Sequence, residues 1–281
     1  SHRGQVTGRL GYLSRMLMDF RFSHPKDWAP LCCLIWFVGS VGSQVPVEDL
    51  SVLTFNVRYD NPDDTLVWQD RKAEVADAVR FYDVVGLQEV LPHQLADLEA
   101  ALPHMSHAGQ GRDADGGGEA CPVFWRTDRF DLLHAETRWL SATPQQPGSI
   151  GWDADLPRAA TWVLLFDRLT GKRVRILNAH WSHVGPLARE ASAALSAGWM
   201  GSSEEDLVRI LIGDFNEEPA GPAVQSLQRL SGLEDAYANP RTRCRRAFGT
   251  YTTFFTDRTS GAPRIDYIWV DGAEVKWHCV D

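Results

Sequence analysis

Five β-prone segments of this chain each end in, or contain, a polar side chain suited to catalysis, and no other feature limits the fold as strongly. The clearest is Arg209–Ile212, which runs into Gly213-Asp214-Phe215-Asn216. Side chains two apart on an extended strand end point the same way, so Asp214 and Asn216 are predicted to face one point. The other four are Leu50–Phe55 followed by Asn56, Val84–Leu87 followed by Gln88-Glu89, Val174–Leu177 followed by Asn178-Ala179-His180, and Arg264–Val270 with Asp266 inside it.

Each of these strand ends, taken singly, has a simpler interpretation. Gly, Asp, Asn and Pro are common turn residues, so GDFN alone is typical of a strand followed by a turn. A carboxylate such as that of Asp266, if buried and unpaired, would cost several kcal/mol, so it needs a cation or a hydrogen-bonded partner. Five strand ends that together supply Asn, Glu, His and Asp side chains therefore indicate one convergent site.

The order of motifs TFNVRYD, GLQEV, NAHWSHVG, GDFNEEP, GTYTTF and RIDYIWV resembles the endonuclease/exonuclease/phosphatase superfamily, whose fold is that of pancreatic deoxyribonuclease. The segment WLSATPQQPGSIGWDADLPRAATW resembles the bacterial-type branch. The resemblance implies an α/β (α+β) fold, a four-layer α/β/β/α sandwich with the site where strand ends converge. It also implies a divalent-metal-dependent phosphoesterase that hydrolyses a phosphodiester or phosphomonoester bond by in-line attack of water.

The resemblance further implies roles for individual residues of the strand ends. Glu89 would be the main ligand of one divalent metal, Mg²⁺ or alternatively Mn²⁺, since Mg²⁺ prefers carboxylate oxygens and keeps several waters. Asn56 would lie beside it and contact the metal site or the phosphate. Asp214 would orient the attacking water, Asn216 would donate to the scissile phosphate, and His180 would stabilise charge that develops on a phosphate oxygen.

Three further residues receive roles from the same resemblance. Glu119 would hold His180 by a hydrogen bond and thereby raise the pKa of the imidazole. Arg158 would be a phosphate clamp, for which its planar guanidinium is suited. Asp266 would partner a second histidine near the C-terminus.

Two positions depart from the family pattern. No Ser-Asp-His motif follows Asp266, and His278 lies too close behind that strand, in the unmatched context KWHCVD. We therefore expect a C-terminally incomplete chain, with an open sheet edge beside the Asp266 strand that invites association. Ser182 stands where the family has Asp, which weakens the electrostatic support of His180. The alternative function is a catalytically impaired or non-catalytic phosphate-binding descendant of the same fold.

Residues 1–48 differ in character from residues 49–281, which form the expected catalytic domain. The apolar core at 28–41 is shorter than the ~20 apolar residues that span a membrane. Followed by small residues, it is typical of a signal peptide cleaved near Ser43. Upstream sequence translated in error, or an anchor, are the other interpretations. A secreted or extracytoplasmic protein is expected, otherwise a cytoplasmic one, with no stable membrane span after leader removal.

The composition favours some classes of phosphate-ester substrate but does not identify one. The formal net charge of −9 does not favour loose binding to a polyanionic backbone. A small molecule, a lipid head group or a nucleic acid remains open as the phosphate ester, with a phosphatase or phosphodiesterase favoured over a processive nuclease. Trp68, Trp152 and Trp181 lie near the predicted site loops and either pack there or stack on a sugar or base. Helices are predicted over 70–81, 91–101 and 187–197.

Overall fold

The computed structural model of the protein describes residues 15–17, 34–36, 49–238, 242–243, 250 and 263–280. The helices are α1 Trp68–Val79, α2 Pro92–Ala101, α3 Pro186–Met200 and α4 Pro222–Ser231. The first three agree with the predicted helices to within three residues at each end. The fourth was not predicted, because the turn-forming run before Pro222 disguises its start, although proline suits the first turn of a helix.

The strands of the described residues form two mixed sheets. The nine-stranded sheet contains β1 Arg15–Leu17, β2 Leu34–Trp36, β3 Leu50–Asn56, β4 Val84–Gln88, β5 Met105–Ala108, β6 Val123–Arg126, β12 Thr242–Arg243, β14 Glu274–Val275 and β15 Trp277–Val280. The six-stranded sheet contains β7 Phe130–Trp139, β8 Ala159–Asp167, β9 Lys172–His180, β10 Leu207–Asp214, β11 Glu234–Asp235 and β13 Asp266–Asp271.

The two sheets pack face to face with helices outside, which confirms the four-layer sandwich. Alternate residues of one strand enter different cores: Val52 faces the core between the sheets, whereas Leu53 packs with α1 and α2. On the other sheet, Ile210 enters the shared core and Leu211 packs with α3 and α4. Strands buried on both faces read as continuous apolar runs, as the sequence of β10 does.

The expected open edge beside the Asp266 strand is covered in part in the described residues, by the two-residue strand β11. In the six-stranded sheet, β13 lies between β10 and β11. Asp235 of β11 pairs with Trp269, because the chain returns to this edge after α4. His278 lies on β15, which pairs with β1 and β12 in the other sheet.

Two short strands from the expected leader pair with β3. Arg15–Leu17 pairs with residues 53–55, and Leu34–Ile35 pairs with residues 50–51. Cleavage of a leader stays a prediction. None of the helices in the described residues combines the length and apolar composition of a membrane span. The sequence also contains a local basic cluster of arginines at 241–246, whose side chains lie outside the described residues.

Candidate active site

The predicted strand ends meet at one edge of the two sheets. The register of β10 pairs Asp214 with His180 on one side and with Asp266 on the other. In the other sheet, the ends of β3 and β4 lie side by side and carry Asn56 and Glu89. Asn56 crosses between the sheets and donates from Nδ2 to Asp214 Oδ2 at 3.1 Å. The residues singled out from five separate segments are therefore neighbours.

Glu89 is fixed by two N–H donors and by its backbone. Asn56 Nδ2 donates to Oε1 at 2.8 Å, and the Tyr59 backbone N–H donates to Oε2 at 3.0 Å. The φ of Glu89 is 62°, in the left-handed region that few non-glycine residues adopt. Such backbone strain persists where the surroundings impose it and clusters at functional sites. Each carboxylate oxygen keeps a second lone pair for a ligand.

The two ends of the Asn56 amide have different partners. Its Oδ1 accepts from the Arg58 backbone N–H at 2.9 Å, while its Nδ2 faces the carboxylates of Glu89 and Asp214. The two sets of contacts agree on which end of the amide is nitrogen. The amide nitrogen holds Glu89 and Asp214 in place, whereas Oδ1 keeps a second lone pair, so metal binding by Asn56 stays a prediction.

His180 is buried and is held by Asn216. Asn216 Nδ2 lies 2.9 Å from His180 Nε2 and donates to the Trp181 carbonyl at 3.1 Å. Because the carbonyl identifies that atom as a donor, His180 Nε2 accepts and the ring proton is on Nδ1. Asp214 Oδ2 lies 3.9 Å from the same ring nitrogen. The arrangement is that of a neutral imidazole.

The surroundings shift the pKa values of both groups. Burial lowers the pKa of His180 well below its ordinary value, and the positive charges of Arg158 and Arg112 lower it further. Burial raises the pKa of Asp214 well above its ordinary value, and the negative charges of Asp266 and Glu89 raise it further. A carboxylate whose pKa is raised is a better proton acceptor for water.

Glu119 does not hold His180, contrary to the prediction from sequence. Its two oxygens accept from Arg112, from Nη1 and Nη2, both at 2.9 Å. Among the described residues, Glu119 makes no hydrogen bond to the His180 ring, and the pKa of His180 is lowered rather than raised. A bidentate pair with an arginine on the same hairpin is the stronger interaction. Sequence reasoning missed Arg112. The Gly111–Ala120 bridge closes this hairpin and brings Arg112 opposite Glu119.

Arg158 is a buried cation with no carboxylate partner in the described part of the chain. It is 5% exposed and donates from Nη2 to His183 Nδ1 at 2.8 Å. Its Nε and Nη1 have no hydrogen-bond partner there. Burial lowers the pKa of Arg158, and the charge of Arg112 lowers it further. Since a buried unpaired charge is costly, the guanidinium indicates a place for an anion.

Asp266 and Ser182 lie at the border of the site. The Asp266 backbone N–H donates to Thr250 Oγ1 at 2.9 Å, and Thr250 is the described residue of the GTYTTF motif. Ser182 Oγ accepts from the Gly185 backbone N–H at 3.0 Å. Ser182 therefore shapes the turn before α3, which is a structural use for the residue at this position.

The three tryptophans near the site separate into two kinds. Trp68 and Trp181 are fully buried, and Trp181 stacks on Phe215 with ring centroids 4.1 Å apart. Trp152 is 49% exposed. Packing explains the first two, whereas it does not explain Trp152.

A polar contact between the two sheets lies beneath the site residues. Asn178 Nδ2 donates to the Leu87 carbonyl at 2.7 Å, and its Oδ1 accepts from Gln88 Nε2 at 2.7 Å. A side chain in place of Gly86 would collide with Asn178 and Ile212. The sequence showed Asn178 and Gln88 as polar strand ends but gave no signal that they would bond to each other.

The comparisons with known proteins agree with this geometry. The profile of the Endonuclease/Exonuclease/phosphatase family matches residues 53–280. The chain belongs to this family. Members of the Endonuclease/Exonuclease/phosphatase family are phosphoester hydrolases, so family membership supports that kind of enzyme. No curated protein matches the chain.

Several solved structures of this family are similar to the chain. A mannosyl-6-phosphatase from Bacteroides thetaiotaomicron is 34% identical with a TM-score of 0.76, covering 81% of this chain and 88% of that one. A family protein from the same organism is 35% identical with a TM-score of 0.73, covering 79% and 82%. One from Bacteroides vulgatus is 36% identical with a TM-score of 0.71, covering 78% and 85%.

Proposed function

We propose that the chain is a divalent-metal-dependent phosphatase that hydrolyses a small phosphate monoester, of the sugar-phosphate type, by in-line attack of water. The observation that carries the proposal is the separation of charge across the site. Glu89, Asp214 and Asp266 form an acidic half, whereas Arg158 and Arg112, whose positive charges lower the pKa of His180, form a basic half. The acidic half suits a cation and the basic half suits a phosphate.

The donor set of the acidic half fits a magnesium ion. Within the described residues, no arginine or lysine forms an ion pair with Glu89 or Asp214, and the negative charges of Asp266 and Glu89 raise the pKa of Asp214. No group of three or more His, Cys, Asp or Glu side chains there forms a closed metal cage. Mg²⁺ uses one or two carboxylates and keeps its waters. Glu89 would hold it, with Asn56 and Tyr59 fixing the carboxylate.

The metal, when bound, would polarise a phosphoryl oxygen as a Lewis acid. The side chains of the chain supply the remaining chemistry. Asp214 accepts a proton from the attacking water, for which its raised pKa is suited. Arg158 binds phosphate oxygens through Nε and Nη1, which have no other partner among the described residues. Asn216 and His180 lie between these groups and bind the oxygens on which charge develops.

A monoester on a small alcohol is favoured over a nucleic acid. A polymer brings neighbouring phosphates, and binding them takes a series of Lys and Arg side chains. Around the described site, Arg112 is paired with Glu119, Arg189 with Glu217 and Arg58 with Asp64. The Bacteroides relative that is 34% identical is a mannosyl-6-phosphatase, which supports a hexose phosphate as the first substrate to test. A secreted or extracytoplasmic location belongs to this proposal and rests on the apolar segment 28–41.

The test is hydrolysis, with Mg²⁺ and with a chelator, of three substrates. Mannose 6-phosphate is followed by phosphate release, bis(p-nitrophenyl) phosphate by p-nitrophenol release, and a single-stranded oligonucleotide by its shortening. We expect the sugar phosphate to be hydrolysed fastest, and only with the metal. Glu89→Gln should lower kcat/KM by roughly 10²–10³, because a metal supplies several kcal/mol of transition-state stabilisation. The matched control is Glu74→Gln, on the exposed face of α1, which should be fully active.

Three outcomes would contradict this assignment. Turnover in the chelator, or unchanged turnover in a folded Glu89→Gln, overturns the metal role of Glu89. Preference for the diester or the oligonucleotide overturns the monoester. Binding of inorganic phosphate without turnover of any ester is the result expected of the non-catalytic alternative.

A further inference from the structure

Trp152 is a large aromatic side chain of the loop between β7 and β8 that packing leaves exposed. It is 49% exposed, with a φ of 50°. A bulky residue in this region of backbone space is a real outlier. Since strained residues that survive in a fold cluster where they serve a function, both observations point to a ligand for the indole.

The loop holds Trp152 between two anchors. On one side, Gly151 is packed so closely against the Leu140 carbonyl and Ser141 that a Cβ has no room. On the other side, Asp153 accepts from the backbone N–H groups of Ala188 at 2.7 Å and Leu187 at 3.2 Å. These contacts tie the loop to the end of β7 and to the start of α3. The indole is therefore presented on a fixed backbone rather than on a free loop tip.

The same loop leads to the unpaired arginine. Asp155 Oδ2 lies 3.8 Å from His183 Nε2, and His183 Nδ1 accepts from Arg158 Nη2 at 2.8 Å. Arg158 is the residue directly before β8, six positions after Trp152. One continuous segment thus carries an exposed apolar surface and a buried group for a phosphate.

We propose that Trp152 is a specificity-determining residue that stacks on the sugar ring of a monosaccharide phosphate whose phosphate binds Arg158. This inference rests on the proposed function and names the part of the substrate that the enzyme selects. A pyranose presents an apolar face of C–H groups, and an indole offers a large flat contact at low conformational entropy. A short open-chain phosphate has no such face. A nucleoside monophosphate would offer its base instead, and the experiment separates the two.

The experiment compares steady-state kinetics on mannose 6-phosphate, glycerol 3-phosphate and adenosine monophosphate. Trp152→Ala and Trp152→Asn remove the ring, and Asn tolerates positive φ better than Ala. We expect both to raise KM for the sugar phosphate about tenfold, with kcat and the glycerol phosphate constants unchanged. Trp152→Phe should recover most of the loss. Ile150→Ala, an exposed apolar residue of the same loop, is the matched control and should leave every constant unchanged.

Equal loss on the sugar phosphate and on glycerol phosphate would overturn stacking, since it would mean that the loop only positions Arg158. No loss on either overturns it as well. A loss confined to adenosine monophosphate would mean that Trp152 stacks on a base and not on a sugar. A loop damaged by the substitution would show a lower Tm in both ring-free variants, whereas a lost contact leaves the Tm unchanged.

Calorimetric binding to Glu89→Gln separates this inference from the proposed function. We expect mannose 6-phosphate to bind more weakly when Trp152→Ala is added, while inorganic phosphate binds equally well. If the wild type binds the sugar phosphate through Trp152 yet hydrolyses no ester, the proposed function fails and the stacking role stands. If the sugar phosphate is hydrolysed but its binding does not depend on Trp152, the stacking role fails and the proposed function stands.

Discussion

The two ends of the sandwich contain buried charges that are arranged in opposite ways. Where β3 and β4 begin, Arg129 donates to Asp167 from Nε at 3.1 Å and from Nη2 at 2.8 Å. Its Nη1 lies 3.1 Å from Asp83, which also accepts from the Ser51 backbone N–H at 2.8 Å and from Ser51 Oγ at 2.6 Å. Each of these three charged side chains is in contact with one of opposite charge.

At the site end, Arg158, Glu89 and Asp214 form no ion pair with an oppositely charged Arg, Lys, Asp or Glu in the described residues, although Arg112 nearby pairs with Glu119. Arg158 has no carboxylate partner in the described chain, and Glu89 and Asp214 receive hydrogen bonds from neutral donors. The backbone is also strained there, with positive φ at Glu89 and Asn216. The same kinds of residue thus serve folding at one end, while the other end keeps charges without an ion pair, which the proposed cation and phosphate would supply. Incomplete pairing, rather than burial of charge, marks the candidate site.

The largest effect on stability is expected at the paired end. Arg129→Met would leave Asp83 and Asp167 buried without their cation, and breaking a buried pair costs roughly 3–5 kcal/mol. Urea unfolding measures this loss, and the activity of the molecules that remain folded should be unchanged. Arg80→Met, on a side chain that is 47% exposed and paired with Asp77, is the control and should cost below about 1 kcal/mol. Equal losses would show that the Arg129 network does not differ from a surface ion pair.

The same substitution at the site end should give the opposite result. Arg158→Met removes an uncompensated buried charge, so we expect stability to be unchanged or higher. Turnover should fall by roughly 10²–10³, the usual cost of removing a group that stabilises transition-state charge. Inorganic phosphate should raise the Tm of the wild type but not of the variant. If Arg158→Met destabilises as much as Arg129→Met does, Arg158 serves the fold and the contrast between the two ends is wrong.

Much of the fold was accessible from the sequence because the signals were local. The apolar run of β10 and the polar residues after it mark a doubly buried strand and its end without any knowledge of neighbours. The neighbours themselves were not accessible. The second neighbour of β13 is Glu234–Asp235, a two-residue strand too short to show a pattern. Helix α4 follows a run that favours turns.

The candidate site was predictable in its membership but not in its contacts. Residues at strand ends could be named, since strand ends of one sheet meet at the same edge. Which atom faces which neighbour depends on competition between partners in space. Glu119 has an arginine seven residues away that binds both of its oxygens, and Asn56 turns its nitrogen towards two carboxylates. Neither the Glu119 contact nor the Asn56 contact can be predicted from the residue types alone.

The smallest expected effect is a gain in stability at the site end. The folded-state pKa of Asp214 is raised by burial and by Asp266, so its ionised form opposes folding, and the wild type loses stability as pH rises through that pKa. Asp214→Asn removes the charge. In a chelator at pH 7 we expect it to be more stable by roughly 0.5–2 kcal/mol, and to be inactive, as is common for strained or charged active sites.

The pH dependence of this gain is the decisive measurement. Below about pH 4, the ordinary pKa of an aspartate, Asp214 is protonated in the folded and unfolded chains alike, so the advantage of Asp214→Asn should vanish. Urea unfolding at both pH values gives the difference, and Asp63→Asn, at an exposed position, should show no such dependence. A variant that is less stable at pH 7, or a gain that persists in acid, would mean that the hydrogen bonds from Asn56 and Asn216 outweigh the repulsion. The carboxylates of the site end would then be satisfied by the fold, as those around Arg129 are.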